Sequence, residues 1–213
     1  MGALQLMPPS SRMQSAACSN PSFIDYWCGE ILKAYRGKGR LDDLFIVLLS
    51  DHGEMAGDHG RLYKRTFHKS ALRIPLIMRW PGRIPAGGEC DGLIENIDAS
   101  SGILEAIGID KLQMSLGQSI WHLVGDRTER HRPEVLSEVY YDGSRNIMIK
   151  NNRYKYVIDH KGSGYMLYDM VQNPQEQHNL IGDPSSGVAE AEMRDAMLRR
   201  LAAGTFVMEA VNL

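Results

Sequence analysis

Leu44-Phe45-Ile46-Val47-Leu48-Leu49-Ser50-Asp51-His52-Gly53-Glu54 is the stretch on which the reading of this chain turns. Six consecutive apolar residues fit a strand buried on both faces of a parallel sheet, where no solvent face imposes alternation. The chain then turns polar at once and delivers a carboxylate and an imidazole at the strand's carboxyl end. Open α/β sheets place their ligands at that end. On a turn, Asp51 and His52 escape strand alternation, so both can reach one metal ion. A bare Asp-His-Gly is also an ordinary turn, and its surroundings must decide between the two.

Those surroundings are Gly57-Asp58-His59-Gly60-Arg61-Leu62-Tyr63-Lys64-Arg65-Thr66-Phe67, then Leu72-Arg73-Ile74-Pro75-Leu76-Ile77-Met78-Arg79-Trp80-Pro81-Gly82. In order, spacing and residue type the run resembles the sulfatase family of the alkaline-phosphatase-like superfamily. There a strand leads into S/T-D-H/N-G, a G-D/E-H-G loop, a Lys before a Thr, R-V-P-L-I and W-P-G. The resemblance extends over about residues 21–213. It implies an α/β fold, namely the C-terminal part of an alkaline-phosphatase-like sheet flanked by helices, followed by a small antiparallel α+β subdomain.

Composition agrees with an enzyme of ordinary globular character. The 213 residues are 43% hydrophobic with a formal net charge of −2, which excludes a disordered chain and gives no basic patch for nucleic acid. No apolar run approaches the length of a membrane helix. Cys18, Cys28 and Cys90 are too few and too irregular for a disulfide framework or zinc ribbon. Cys28 falls on a helix face and reads as core. Nothing in the chain fixes its localisation.

Residues 1–20, with Pro8-Pro9 and small polar residues, lack periodicity and read as an irregular tail. From Pro21, Phe23, Trp27, Ile31 and Tyr35 recur every four residues beside Ile24, Cys28 and Leu32, predicting a helix with a wide apolar face. Gly37 and Gly39 end it. Asp25 reads as a surface or capping carboxylate. Residues 74–80 predict a second strand of the same sheet, and Asp98-Ala99-Ser100-Ser101 offers N-cap residues to a helix at 102–107 closed by Gly108. Residues 21–132 thus read as the C-terminal half of a catalytic domain.

Residues 133–213 have a different texture. Runs at 135–141, 146–150, 154–158 and 165–169 are short, rich in Tyr and β-branched residues, and separated by turn signals, which predicts an antiparallel meander. Tyr168-Asp169, Asn173-Pro174, Glu176 and Asn179-Leu180 resemble the signature of the sulfatase C-terminal subdomain. A final helix is expected over 189–203 with Met193, Met197, Leu198 and Leu201 inward. The tyrosines read as packing.

The resemblance implies the chemistry. Sulfatases hydrolyse sulfate esters with a formylglycine hydrate as nucleophile, while a divalent cation and nearby basic groups stabilise charge on the transferring group. Carried over by position, Asp51 and His52 match metal ligands, Lys64 the sulfate-contacting lysine, and His59 an accessory catalytic group or a loop brace. The implied cation is calcium first, with magnesium or manganese as alternatives. The implied partner is a sulfated small molecule or carbohydrate, with no nucleic acid and no membrane. Bare sheet edges would allow self-association.

One element is missing. No C/S-x-P/A-x-R formylglycine motif occurs in these 213 residues, and the early Asp-Asp metal pair has no match. The expectation is therefore a sulfatase-like fragment that is inactive as an isolated chain. A phosphodiesterase or phosphonate hydrolase of the same superfamily, and a non-catalytic truncated product or subunit, are the alternatives.

Overall fold

The computed structural model describes residues 11–110, 112, 115–125 and 130–209. They form two compact units, 1–87 and 88–213. No described helix is long and apolar enough to cross a membrane.

The first unit begins with helix α1, Ser11–Gly37. It starts ten residues before Pro21, so residues 11–20, expected to be irregular, are helical, while 1–10 lie outside the described residues. Local polarity and low periodicity did not prevent helix formation in a segment where Arg12, Met13, Gln14, Ala16 and Ala17 are all strong helix formers. The helix ends at Gly37, and Gly39 takes a positive φ of 65°. Its four-residue apolar repeat is real, yet the face is exposed: Phe23 is 65% accessible and Trp27 51%. Asp25 is exposed, and Cys28, expected in the core, is only half-buried.

Strand β1, Ile46–Leu49, pairs with β2, Leu76–Arg79, in register from Ile46 opposite Arg79 to Leu49 opposite Leu76. The pairing is antiparallel, and Leu48 and Leu49 are exposed, which corrects the expectation of a parallel strand buried on both faces. An apolar run encodes strand propensity and a demand for burial, but neither the direction nor the number of its neighbours. Beyond the ribbon's end Phe45 stacks on Trp80 at 4.7 Å, and Arg79 Nη1 donates to the Leu41 carbonyl at 3.0 Å. Between the strands lies α2, Lys69–Leu72.

The second unit opens with α3, Asn96–Ala106, and the single turn α4, His122–Gly125. Helix α3 starts earlier than expected, with Glu95 at the N-cap and Asp98 as the third residue, and the two side chains close a reciprocal capping box. The Asp98 carboxylate reaches back to accept from the Glu95 N–H at 2.8 Å. Four strands follow: β3 Glu134–Tyr141, β4 Ser144–Asn151, β5 Tyr154–Ile158 and β6 Gly164–Asp169. They pair in sequence order, all antiparallel, which is the expected meander. Asp142 and Gly143 both have positive φ, the geometry a two-residue hairpin turn requires.

Helix α5, Gly187–Glu209, covers one face of this sheet. Ile147, Ile149, Tyr156 and Leu167 from the sheet meet Met193, Ala196 and Met197 from the helix, all nearly inaccessible. Alternation along the strands and a 3,4 repeat on the helix produce this core. Leu201 packs at its margin, while Leu198, expected inward, is 59% exposed. One turn places Met197 on the sheet and rotates its neighbour away.

Candidate metal and anion site

The turn after β1 is built by hydrogen bonds that its own polar residues supply. Ser50 Oγ donates to the His52 carbonyl at 2.8 Å, and Asp51 Oδ1 accepts from the His52 N–H at 2.9 Å. Short polar side chains divert the backbone from the strand ladder in this way. Gly53 N–H then donates to the Ala71 carbonyl at 2.8 Å, pinning the turn to α2. A Cβ at Gly53 would lie 2.0 Å from the Ser70 carbonyl oxygen, so only glycine fits. Gly53→Ala is expected to cost about 1–3 kcal/mol of stability and to displace Asp51 and His52. Thermal melting of the variant beside the parent checks this.

His52 is oriented by Nδ1, 2.8 Å from the Gly53 carbonyl. A carbonyl only accepts, so Nδ1 carries the proton and Nε2 presents its lone pair outward. Asp51 Oδ2 lies 3.2 Å from that Nε2, with its side chain 83% exposed. Lys64 Nζ also hydrogen-bonds Nε2. Desolvation pushes the Asp51 pKa up, but the hydrogen bond from the His52 N–H and the nearby Lys64 ammonium outweigh it and hold the carboxyl below its usual value. Asp51, His52 and Lys64 are therefore brought together at the carboxyl end of β1.

The following loop is tight. Ala56, Gly57, His59 and Gly60 all have positive φ, and Gly57 N–H donates to the Arg61 carbonyl at 2.8 Å. Asp58 caps the bend by accepting from the His59 N–H at 3.0 Å and from Ser70 Oγ. His59 stacks on buried His68, ring centroids 3.9 Å apart and planes 15° from parallel. That contact fits a brace better than a group aimed at substrate. His68 and Ser70 escaped the sequence reading because neither belongs to a motif whose spacing marks it. Lys64 is held from behind by Thr66, whose N–H donates to the Lys64 carbonyl at 2.7 Å, and Thr66 itself is buried.

Two donors 3.2 Å apart suit adjacent positions around one divalent cation, since ligands about 2.0–2.4 Å from an ion subtend near-right angles at that separation. Asp51 and His52 fit such an ion as part of its ligand set. A cation of this class takes six or more ligands. The Lys64 ammonium adds a positive charge suited to an anionic group beside the metal.

The profile of the family described as N-sulphoglucosamine sulphohydrolase, C-terminal, matches residues 57–203. Among curated relatives, the multifunctional alkaline phosphatase superfamily protein PehA of Trinickia caryophylli is 29% identical over 192 residues, 82% of this chain and 37% of that protein. The choline-sulfatase of Rhizobium meliloti (strain 1021) is 28% identical over 213 residues, 94% of this chain and 39% of that protein. Among solved structures, a phosphonate monoester hydrolase from Silicibacter pomeroyi superposes with a TM-score of 0.77 at 26% identity, covering 85% of this chain and 39% of the other. This chain thus spans less than two fifths of the length of these proteins.

Proposed function

The chain belongs to the N-sulphoglucosamine sulphohydrolase C-terminal family, sulfatase-like hydrolases of the alkaline-phosphatase-like superfamily, and on that premise we propose that it carries the second half of a sulfate-ester hydrolysing site. Residues 21–132 are the C-terminal half of the catalytic domain, and 133–213 its C-terminal subdomain. The supporting observation is the placing of Asp51 Oδ2 3.2 Å from His52 Nε2, with the Lys64 amine on the same imidazole. Asp51 and His52 hold a divalent cation, calcium first and magnesium or manganese as alternatives. Bound there, the ion supplies Lewis-acid stabilisation to an oxyanion.

Each residue has a stated task. Asp51 contributes charge to the cation site, and the Gly53 carbonyl keeps the His52 lone pair directed toward it. Lys64 neutralises the sulfate oxygens, a role for a point cation on a flexible stem. His59 braces the loop against His68. The nucleophile is a formylglycine outside this sequence, since no C/S-x-P/A-x-R motif occurs in it. The substrate is a sulfated small molecule or carbohydrate. Similarity to a phosphonate monoester hydrolase supports a second reading, hydrolysis of a phosphonate or phosphate diester at the same cation site.

Two measurements on the 213-residue chain test the proposal. Asp51→Asn and His52→Ala are each expected to weaken manganese binding at least tenfold, read by paramagnetic broadening of nearby resonances. Undiminished binding in both variants would remove the metal assignment. The purified chain is also expected to release no sulfate from an aryl sulfate, because positioning and charge cannot replace a missing nucleophile. Turnover that survives rigorous repurification would overturn the placing of the nucleophile outside these residues.

A further inference from the structure

We propose that Lys64 is a built-in competitor for the cation at His52, so that cation binding displaces its ammonium and frees it toward an anion. The inference rests on the metal reading above and adds a coupling to it. The Gly53 carbonyl fixes the proton on Nδ1, which leaves one lone pair on Nε2. That lone pair lies 3.2 Å from Asp51 Oδ2. Two electron-rich atoms this close repel each other unless positive charge lies with them. The Lys64 ammonium, hydrogen-bonded to Nε2, supplies that charge.

A single lone pair can accept from Nζ or bind a metal ion, and not both at once. Lys64 is exposed, and an ammonium on a flexible stem is readily rehydrated, so it leaves at small cost. It does not go far. Its carbonyl accepts from the Thr66 N–H at 2.7 Å, and the buried Thr66 and Phe67 anchor the segment. The displaced amine stays beside the cation, where a sulfate-like anion would meet both charges. Cation and anion binding are therefore positively coupled through one side chain.

Manganese alone, titrated into the chain and into Lys64→Met, tests this, with broadening of the His52 imidazole signals as the readout. The variant is expected to bind manganese about 2–5-fold tighter, the range an exposed charge contact covers. Unchanged or weaker binding overturns the inference. Simple repulsion from a lysine elsewhere would also tighten binding, so a second readout is needed. In the metal-free chain, the His52 Nε2 nitrogen resonance should shift on Lys64→Met because its hydrogen bond is lost, and an unmoved resonance overturns the inference. Absence of manganese binding in both proteins overturns the inference together with the metal reading. Binding that survives Asp51→Asn and His52→Ala overturns the metal reading and the inference with it, whereas loss of binding in those two variants beside unchanged binding in Lys64→Met overturns the inference alone.

Discussion

Replacing Asp98 with Ala is expected to cost about 3–5 kcal/mol of stability, a fall in melting temperature of order 10 °C. Asp98 is wholly buried. Its Oδ2 accepts from Arg132 Nε at 2.7 Å and from the Glu95 N–H at 2.8 Å, and its Oδ1 accepts from the Gln118 N–H at 2.8 Å. His131 Nε2 lies 3.1 Å from the same carboxylate. Arg132 is nearly inaccessible too, and it donates to the Leu116 carbonyl at 2.9 Å. Removing Asp98 leaves that guanidinium buried beside Glu95 alone, an uncompensated arrangement far costlier than losing a surface ion pair. Circular dichroism melting of the Asp98→Ala chain beside the parent measures it, and a loss below 1 kcal/mol would contradict the buried network.

The same cluster sets an acid limit. Burial lowers the His131 pKa below its ordinary value of 6.5, with Asp98 opposing the shift and Arg132 and His122 adding to it. The unfolded chain then takes up the proton more readily, so stability is full above about pH 6.5 and declines as pH falls below it. Burial raises the Asp98 pKa, but the Arg132 hydrogen bonds and the Gln118 and Glu95 N–H groups outweigh this and hold it below 3.8. That contribution is present above about pH 4 and is lost below it. Melting temperature should therefore drop in two stages on acidification, and His131→Gln should flatten the first stage between pH 7 and pH 5.

The second large effect is expected at Lys155 and Glu176. Both are almost inaccessible and joined by a direct ion pair. Burial pulls the Lys155 pKa below its ordinary value, while Glu176 pushes it back up. The Lys155 amine also lies 5.3 Å from the Tyr168 ring centroid, a cation–π contact. Glu176→Ala is expected to cost about 3–5 kcal/mol by stranding the ammonium. The double variant Lys155→Met with Glu176→Leu should lose less than the sum of the single losses, because no buried charge remains unpaired. Urea denaturation of the four proteins in the cycle gives the coupling energy, and strict additivity would show that the two side chains act independently.

Glu176 shows how legibility and cause separate. The residues from Tyr168 to Leu180 were readable as a family signature, and the meander around them as strands, because alternation and turn chemistry are local properties. Nothing in that string indicated that Glu176 is buried or that Lys155, twenty-one positions earlier on β5, is its partner. Asp98 is a sharper instance. Its sequence neighbourhood suggests a helix cap, but thirty-four positions separate it from Arg132, and only the packed second unit brings the carboxylate and guanidinium together.

The candidate site divides along the same line. That Asp51 and His52 follow a strand, and that a glycine-rich loop leads to Lys64, could be read from order and residue type, since each depends on contacts only a few positions away. The convergence of Lys64 on Asp51 and His52 was expected from the sulfatase resemblance, but its direct hydrogen bond to the His52 ring across twelve residues was not, nor was the stacking of His59 on His68. The antiparallel direction of β1 and β2 and the exposure of the α1 apolar face were likewise invisible. Periodicity tells a segment which of its faces seeks cover. Which partner answers, and from which direction, is set by long-range packing, because that free energy belongs to pairs of segments and is written in neither one alone.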